Sequence, residues 1–307
     1  MILVTGGTGF IGSALVHRLT TAGEKVRILL HPSSNSPRLP KGIALETALC
    51  SLNDERGLLA AMKGIETVYH LASAERENRL VDLNLVDVQG TNAIVRAASE
   101  GNIQRLVFTS QIGADKKSLF PSLKAKALAE EIIQTSNLNY TIFRSSAIFG
   151  RNDHFTESIR KNLRSSLVIF PIPGSSEITI QPLWIEDFLT CLALSVSDVK
   201  MKRKIITVGG GEYFNFRQFI KIIMAKAKIW RLLIPISPAY LRTLNLWSGR
   251  SGRGFPYSNA WLDYLAADRT CPLDTLPKVF GLIPARFERK IDYLEKNTAY
   301  RVAKNSG

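Results

Sequence analysis

The opening dozen residues constrain this chain more than any other stretch. Ile2-Leu3-Val4 runs straight into Thr5-Gly6-Gly7-Thr8-Gly9-Phe10-Ile11-Gly12, and Ser13-Ala14-Leu15-Val16-His17-Arg18-Leu19 follows. That order reads as strand, tight turn and helix, the context in which a glycine fingerprint marks a dinucleotide site. Each glycine has its own physical task. Gly6 permits a sharp turn, Gly9 has no side chain to block a pyrophosphate, and Gly12 lets the helix pack close to the strand. The helix N-terminus then offers N–H groups and partial positive charge to phosphates. A bare glycine turn without a ligand is the weaker reading, because this triplet both follows a strand and opens a helix.

Strand and helix patterns alternate through the first half. Lys25–Leu30, Ile43–Glu46, Thr67–Ala72, Arg105–Ser110 and Tyr140–Arg144 read as further strands. Helices are expected over Asp54–Met62 and from about Leu85 to Glu100. Alternation of this kind predicts an α/β chain with a Rossmann-type doubly wound parallel sheet. At 307 residues the chain can bury a full core. The expected division is a nucleotide-binding domain over residues 1–150 and a smaller mixed substrate, lid or docking lobe over 151–307. Cys50, Cys191 and Cys271 are too few and too scattered for a disulfide framework or a metal clip, so reduced structural thiols and no metal are expected. The first strand leaves no room for a targeting peptide, and no apolar stretch reaches the roughly 18 residues of a spanning helix. The expectation is a cytoplasmic chain, or one peripheral at the inner face of a membrane.

Charge is uneven. Residues 1–150 hold 16 Lys and Arg against 13 Asp and Glu, whereas residues 151–307 hold 24 against 13. No acid occurs between Glu212 and Asp263, an interval with eight basic residues from Arg217 to Arg253. Such asymmetry marks an anionic partner. Within it, Ile229–Ile236 and Ala239–Trp247 are apolar as well as basic, and Pro235 and Pro238 are expected to break them into short pieces. Trp230, Tyr240 and Trp247 beside Arg231 and Arg242 are residue types found at membrane headgroups. Two partners are thus open for segment 213–262, an anionic membrane surface or a larger protein complex. A lid over a substrate site is the competing structural reading. No nucleic acid is expected, since no recognition motif accompanies the charge.

The second strand ends in Leu30 and His31, where an NAD-preferring fold carries an acid for the ribose hydroxyls. With no acid to repel it, a 2′-phosphate fits a site made by Ser33, Ser34, Arg38 and either His31 or Arg27. NADP(H) is therefore favoured over NAD(H). The alternative is a solvated polar loop without cofactor contact.

The spacing Gly6-x-x-Gly9-x-x-Gly12 resembles that of extended and atypical short-chain dehydrogenases, the epimerase/dehydratase-like superfamily. In that family a Tyr and a Lys one helical turn apart act together, the ammonium lowering the phenol pKa for proton exchange with substrate. The segment Lys124-Ala125-Lys126-Ala127-Leu128-Ala129-Glu130-Glu131 matches the family helix and places Lys126 at the lysine position. The tyrosine position then falls on Ser122. Gln111 aligns with the usual catalytic hydroxyl, with Ser110 beside it. Tyr300 and Lys304 repeat the spacing only in the C-terminal tail. The catalytic candidates are Lys126, Ser122 and Ser110, and Lys126 reads either as a ribose ligand or as a solvated helix lysine. In the same way the resemblance assigns Gly6, Thr8, Gly9, Phe10, Ile11 and Gly12 to the cofactor, with His31, Arg38 and Leu52 on the adenosine side. Leu71, Ala72, Ser73, Thr109 and Lys126 complete the set.

The second half narrows the resemblance. Gln181–Phe188, Ile205–Gly211 with Phe214–Phe219, and Phe280–Phe287 closing on Tyr293-Leu294 are similar to one branch. That branch contains the NADPH-binding accessory subunit of respiratory complex I and its bacterial relatives. Its members characteristically lack the catalytic tyrosine. The likeness implies NADPH bound in a structural, assembly or regulatory role at a membrane-associated complex. The alternative is an active NADPH-dependent oxidoreductase or epimerase acting on an apolar substrate without a tyrosine acid.

Overall fold

The computed structural model describes residues 1–32, 45–74, 83–174, 178–248 and 259–295. The first half builds β1 (Ile2–Thr5), α1 (Phe10–Thr21), β2 (Val26–Leu30), β3 (Glu46–Leu49), α2 (Glu55–Met62), β4 (Thr67–His70), α3 (Gly90–Glu100), β5 (Arg105–Gln111), α4 (Pro121–Thr135) and β6 (Tyr140–Ser145). Then come β7 (Ala147–Phe149), α5 (Thr156–Ser165), β8 (Ile169–Pro173), β9 (Thr179–Ile180), β10 (Pro182–Trp184), α6 (Ile185–Ser197) and β11 (Lys204–Val208). The last elements are β12 (Phe214–Asn215), α7 (Phe216–Ala227), β13 (Leu232–Ile236), α8 (Pro238–Ser248), α9 (Asn259–Tyr264) and α10 (Thr275–Phe280). They form two compact units. The first comprises Met1–Ser145, Ile185–Val208 and Lys278–Phe280, and the second comprises the rest.

The first unit is a seven-stranded parallel sheet in the order β11-β6-β5-β4-β1-β2-β3. The chain starts in the middle, winds outward through β2 and β3, then returns to the other side of β1 with β4. Strand order therefore reverses between β1 and β4, and ligands of doubly wound sheets bind outside the carboxyl ends at that point. The strands are covered on both faces, which explains their near-continuous apolar runs. Leu3, Val4, Val68, Leu106, Val107, Ile142 and Phe143 are fully buried.

Three local expectations shift. Of the expected strand Ile43–Glu46, residues 43–44 lie outside the described residues; the strand runs on past Glu46 to Leu49 because pairing with β2 carries it: Arg27 opposes Glu46, Leu30 opposes Leu49, and the Arg27–Glu46 ion pair spans 2.7 Å. Asp54 stays outside α2 as its N-cap, accepting from the Gly57 N–H at 3.0 Å. The helix expected from Leu85 starts instead with a π-helical turn, Asn84–Gln89, before α3.

Among its described residues the second unit has three two-stranded sheets, β7 with β10, β9 with β12, and β8 with β13. Its core is aromatic. Phe155 stacks on Trp261 with ring centroids 4.7 Å apart, and Phe287 lies 4.7 Å from Phe219 and 4.8 Å from Phe149. Asn215 and Gln218 close a reciprocal capping box on α7. The segment at 229–247 divides at Pro238, as expected, into a five-residue strand and a helix, but Pro235 does not break it. Pro235 lies within β13, which pairs with one neighbour only, and Pro238 opens α8, where its missing N–H is no loss. No helix among the described residues is long and apolar enough to cross a membrane.

Candidate functional site

The site is built around the β1–β4 switch point. Gly6 has φ +68°, and a Cβ there would lie 2.7 Å from the Ala72 N and Leu71 C atoms, so the turns after β1 and β4 meet backbone to backbone. A Cβ on Gly12 would lie 2.1 Å from the Gly6 carbonyl oxygen, so α1 is seated directly on the first turn. Gly9 is the N-cap of α1 in extended conformation; the cap makes no side-chain hydrogen bond, and no acid stands in the first turn. The helix thus presents its N-terminal N–H groups beside a surface stripped of side chains, a cradle suited to a diphosphate. Thr8 is exposed, Ile11 half-buried and Phe10 buried along this rim.

Behind the turn runs a buried polar chain. His70 ends β4 with no exposure, opposite Thr5 in the sheet register. Its Nδ1 lies 2.7 Å from the Thr5 hydroxyl and its Nε2 lies 3.0 Å from that of Thr91. Thr91 donates its own proton to the Asp87 carbonyl at 2.5 Å. It must therefore accept from Nε2–H, which leaves Nδ1 to accept from Thr5. Thr5 Oγ1 in turn accepts from the Ala72 N–H at 3.3 Å, which positions the small-residue turn.

Asp87 sits in the π-helical turn, 1% exposed. Its carboxylate accepts from the Ser73 hydroxyl at 2.7 Å and the Ala74 N–H at 2.9 Å, and pairs with Lys126 Nζ at 3.0 Å. Burial alone would raise this carboxyl's pKa. The Lys126 ammonium and the two donors outweigh that effect and hold Asp87 below the usual carboxylate range. Lys126 also lies 5.2 Å from the centroid of the Phe108 ring. It is buried, so the reading of a solvated helix lysine is excluded. The structure thus brings Lys126, Ser73 and Ala72 together through Asp87 and Thr5, three of whose links (Thr5, His70 and Asp87) sequence reasoning had not assigned. The available signal was a histidine ending a fully buried strand, since both of its ring nitrogens need partners there.

Other expected site residues go elsewhere. The Ser110 hydroxyl donates to Glu130 Oε1 at 2.5 Å, and the same buried carboxylate is held by Arg144 through Nη2 at 2.6 Å and Nε at 3.0 Å. Its proton is thereby committed to a structural ion pair. Arg27 is likewise spent: it binds Glu46 and donates to the Ala61 and Lys63 carbonyls at 2.7 and 2.9 Å, near the opposite end of β2. That removes it from the expected phosphate set. Ser122 is half-buried one turn before Lys126 on α4. Thr109 is buried on β5, and Leu71, Ala72 and Ser73 are half-buried. Leu52 packs on Gly90, where a Cβ would approach its Cδ1 to 2.6 Å. His31 is exposed after β2, while Arg38 and the Tyr300–Lys304 pair lie outside the described residues. Cys50, Cys191 and Cys271 are buried free thiols, and no cluster among the described residues suits a metal ion.

Two outcomes follow from this geometry. Gly12→Ala drives a methyl group into the Gly6 carbonyl, and overpacking of this kind costs about 1–3 kcal/mol, read as a lower urea midpoint at unchanged slope. An unchanged midpoint would show that α1 does not rest on the turn. For His70, burial and then the Lys126 ammonium push the imidazole down from 6.5 to about 3. Between those values the unfolded chain binds more protons, so stability is full above pH 6.5 and declines below it by about 1.4 kcal/mol per pH unit. Urea titrations from about pH 7 to about pH 4 should show this slope in the natural chain and its loss in His70→Asn.

A family model described as NAD(P)H-binding matches residues 6–162. The chain is 38% identical over 114 residues to sterol demethylase protein B of Methylococcus capsulatus, covering 36% of this chain and 34% of that protein. It is 30% identical over 148 residues to photosystem II assembly factor Ycf39 of Cyanophora paradoxa, covering 48% of this chain and 46% of the other. Both matches thus span less than half of the relative's length. A longer match, 25% identical over 315 residues, covers 97% of this chain and 80% of subunit 9 of the NADH dehydrogenase [ubiquinone] 1 alpha subcomplex of Mus musculus mitochondria. Among solved structures, the enzyme WbmG of Bordetella bronchiseptica in complex with NAD and UDP superposes with a TM-score of 0.72 at 18% identity, covering 94% of this chain and 92% of that one. At that identity the likeness shows the fold. With an open helix N-terminus on a side-chain-free turn, and a matching stretch that begins at that turn, the chain belongs to the NAD(P)H-binding family.

Proposed function

We propose that this chain holds NADPH as a fixed ligand, in an accessory or assembly role within a membrane-associated complex. The observation that carries the reading is the pairing on α4. Lys126 is buried and tied to Asp87, yet the residue one turn before it is Ser122. An aliphatic hydroxyl ionises far less readily than a phenol of pKa about 10, so it cannot replace the phenol as a proton source unaided. A bound nicotinamide supplies hydride; on this reading the helix supplies no matching proton. Lys126 keeps a binding task, its ammonium reaching the nicotinamide-side ribose, with Asp87 and Ser73 holding its direction. The open end of β2 at Leu30 and His31, without an acid, supports NADPH over NADH. The relatives named as a subunit of an NADH dehydrogenase subcomplex and as a photosystem II assembly factor support the accessory role.

A second reading is an NADPH-dependent reductase or epimerase on an apolar substrate. It is favoured by the cost of keeping a lysine buried, which an active site would repay. The two separate in one experiment. The chain is purified gently, its bound nucleotide is identified by fluorescence, and ketone, quinone and enone acceptors are added. The accessory reading expects NADPH that no acceptor oxidises, and rapid turnover overturns it. In parallel, Ser122→Tyr should leave NADPH affinity within about twofold, since a change below about 0.5 kcal/mol is usual away from direct contacts. Lys126→Met should weaken it at least tenfold, the loss of a charge-assisted hydrogen bond of about 1.5 kcal/mol or more.

A further inference from the structure

The lysine of α4 carries its own counter-ion. Among the described residues of the first unit, the buried charged side chains are Asp87, Arg105, Lys126 and Glu130. Two of these are answered elsewhere. Arg105 stands at the start of β5, at the opposite end of the sheet, and its guanidinium donates to the Ser195 and Asp198 carbonyls. Glu130 is enclosed by Arg144 and the Ser110 hydroxyl. His70 is neutral, as its two threonine partners require. Asp87 and Lys126 remain as the buried charges beside the turn after β4, 3.0 Å apart, with their side chains 1% and 6% exposed.

The sheet order sets which half of a dinucleotide meets them. With its diphosphate on the N-terminus of α1, a dinucleotide extends over β2 on one side and over β4 and β5 on the other. The adenosine half belongs to the β2 side, where a doubly wound fold reads the ribose. The nicotinamide half then falls on the side where Asp87 grips the turn after β4 through Ser73 and Ala74. That ring is cationic in NADP⁺ and neutral in NADPH. An ammonium without a counter-ion in a water-poor crevice would repel the cation and select the reduced form. Here a carboxylate at contact distance balances it, so the pair presents a dipole and no net charge. A neutral acceptor such as an amide would also orient Lys126, without the desolvation of a second buried charge. What the carboxylate adds beyond direction is therefore charge balance.

We propose that the Asp87–Lys126 pair makes the site indifferent to the oxidation state of the nicotinamide, so that the chain retains its nucleotide whether reduced or oxidised. The inference rests on the nucleotide reading proposed above and names Asp87 as the residue that sets this property. The test is calorimetric titration of the whole purified chain, freed of nucleotide, with NADPH and with NADP⁺ at neutral pH. In the natural chain the two dissociation constants should agree within about threefold. Asp87→Asn keeps an acceptor of the same shape and leaves the ammonium unbalanced, so it should move the ratio at least about tenfold toward NADPH. Lys126→Met should weaken both forms but move the ratio the other way, toward NADP⁺, because Asp87 keeps the Ser73 and Ala74 donors that favour its ionised form. Opposite signs separate charge balance from a merely structural role, which would weaken both forms in the same proportion. Urea midpoints show whether each variant folds; should Asp87→Asn fail, the natural ratio and Lys126→Met decide alone. A natural preference of about tenfold or more, or variants that weaken both forms equally, overturns the inference and leaves the nucleotide reading standing. Affinity for neither form overturns both.

Discussion

Two stretches of main chain touch at Gly6 with no room for a methyl group between them. The turn after β1 abuts the turn after β4, and α1 rests on the first of these through Gly12. The geometry of the crevice follows from that contact. It aims the N-terminus of α1 along the crevice where strand order reverses, and it leaves the approach free of side chains. The cost is conformational: Gly6 holds a left-handed backbone that a substituted residue rarely adopts.

Polar chemistry then fixes the side of the crevice that backbone packing leaves open. Thr5, His70, Thr91, Asp87 and Lys126 form one sequence of donors and acceptors in which the protons of Thr5, His70 and Thr91 each have an assigned place. A neutral imidazole is buried at no electrostatic penalty, and a carboxylate and an ammonium are buried only because each answers the other. Such a pair contributes little net stability, while removing one partner leaves an uncompensated charge. Its value here is direction: the ammonium is held where two helices and the β4 turn converge. The π-helical turn is the device that makes this possible, since its wider spacing sets Asp87 under Ser73 and Ala74 before the regular helix begins.

Much of the architecture was legible because it is written locally. Alternating apolar strands and helices gave the doubly wound sheet, and the glycine spacing marked its opening turn. What failed did so where a distant partner decides. β3 runs past the expected Glu46 to Leu49 because its pairing with β2, where Arg27 binds Glu46, carries it there. That same pairing took Arg27 away from the phosphate. Ser110 was adjacent in sequence to the expected hydroxyl position but belongs to the Glu130–Arg144 ion pair, which joins β5, α4 and β6. Pro235 was read as a break, yet β13 pairs on one side only, so its missing N–H forfeits no ladder bond.

The sequence by itself determined the strand-turn-helix opening, the class of sheet that must follow, the lysine-bearing helix with serine one turn earlier, and the excess of cations in the second half. Only the tertiary structure decided that Lys126 meets Asp87, that His70 links β1 to α3, and that Ser110 belongs to the Glu130–Arg144 ion pair. The reason is physical. Glycine conformation and hydrophobic period act over a few residues, whereas an ion pair or a surface patch needs side chains that only the sheet order brings together.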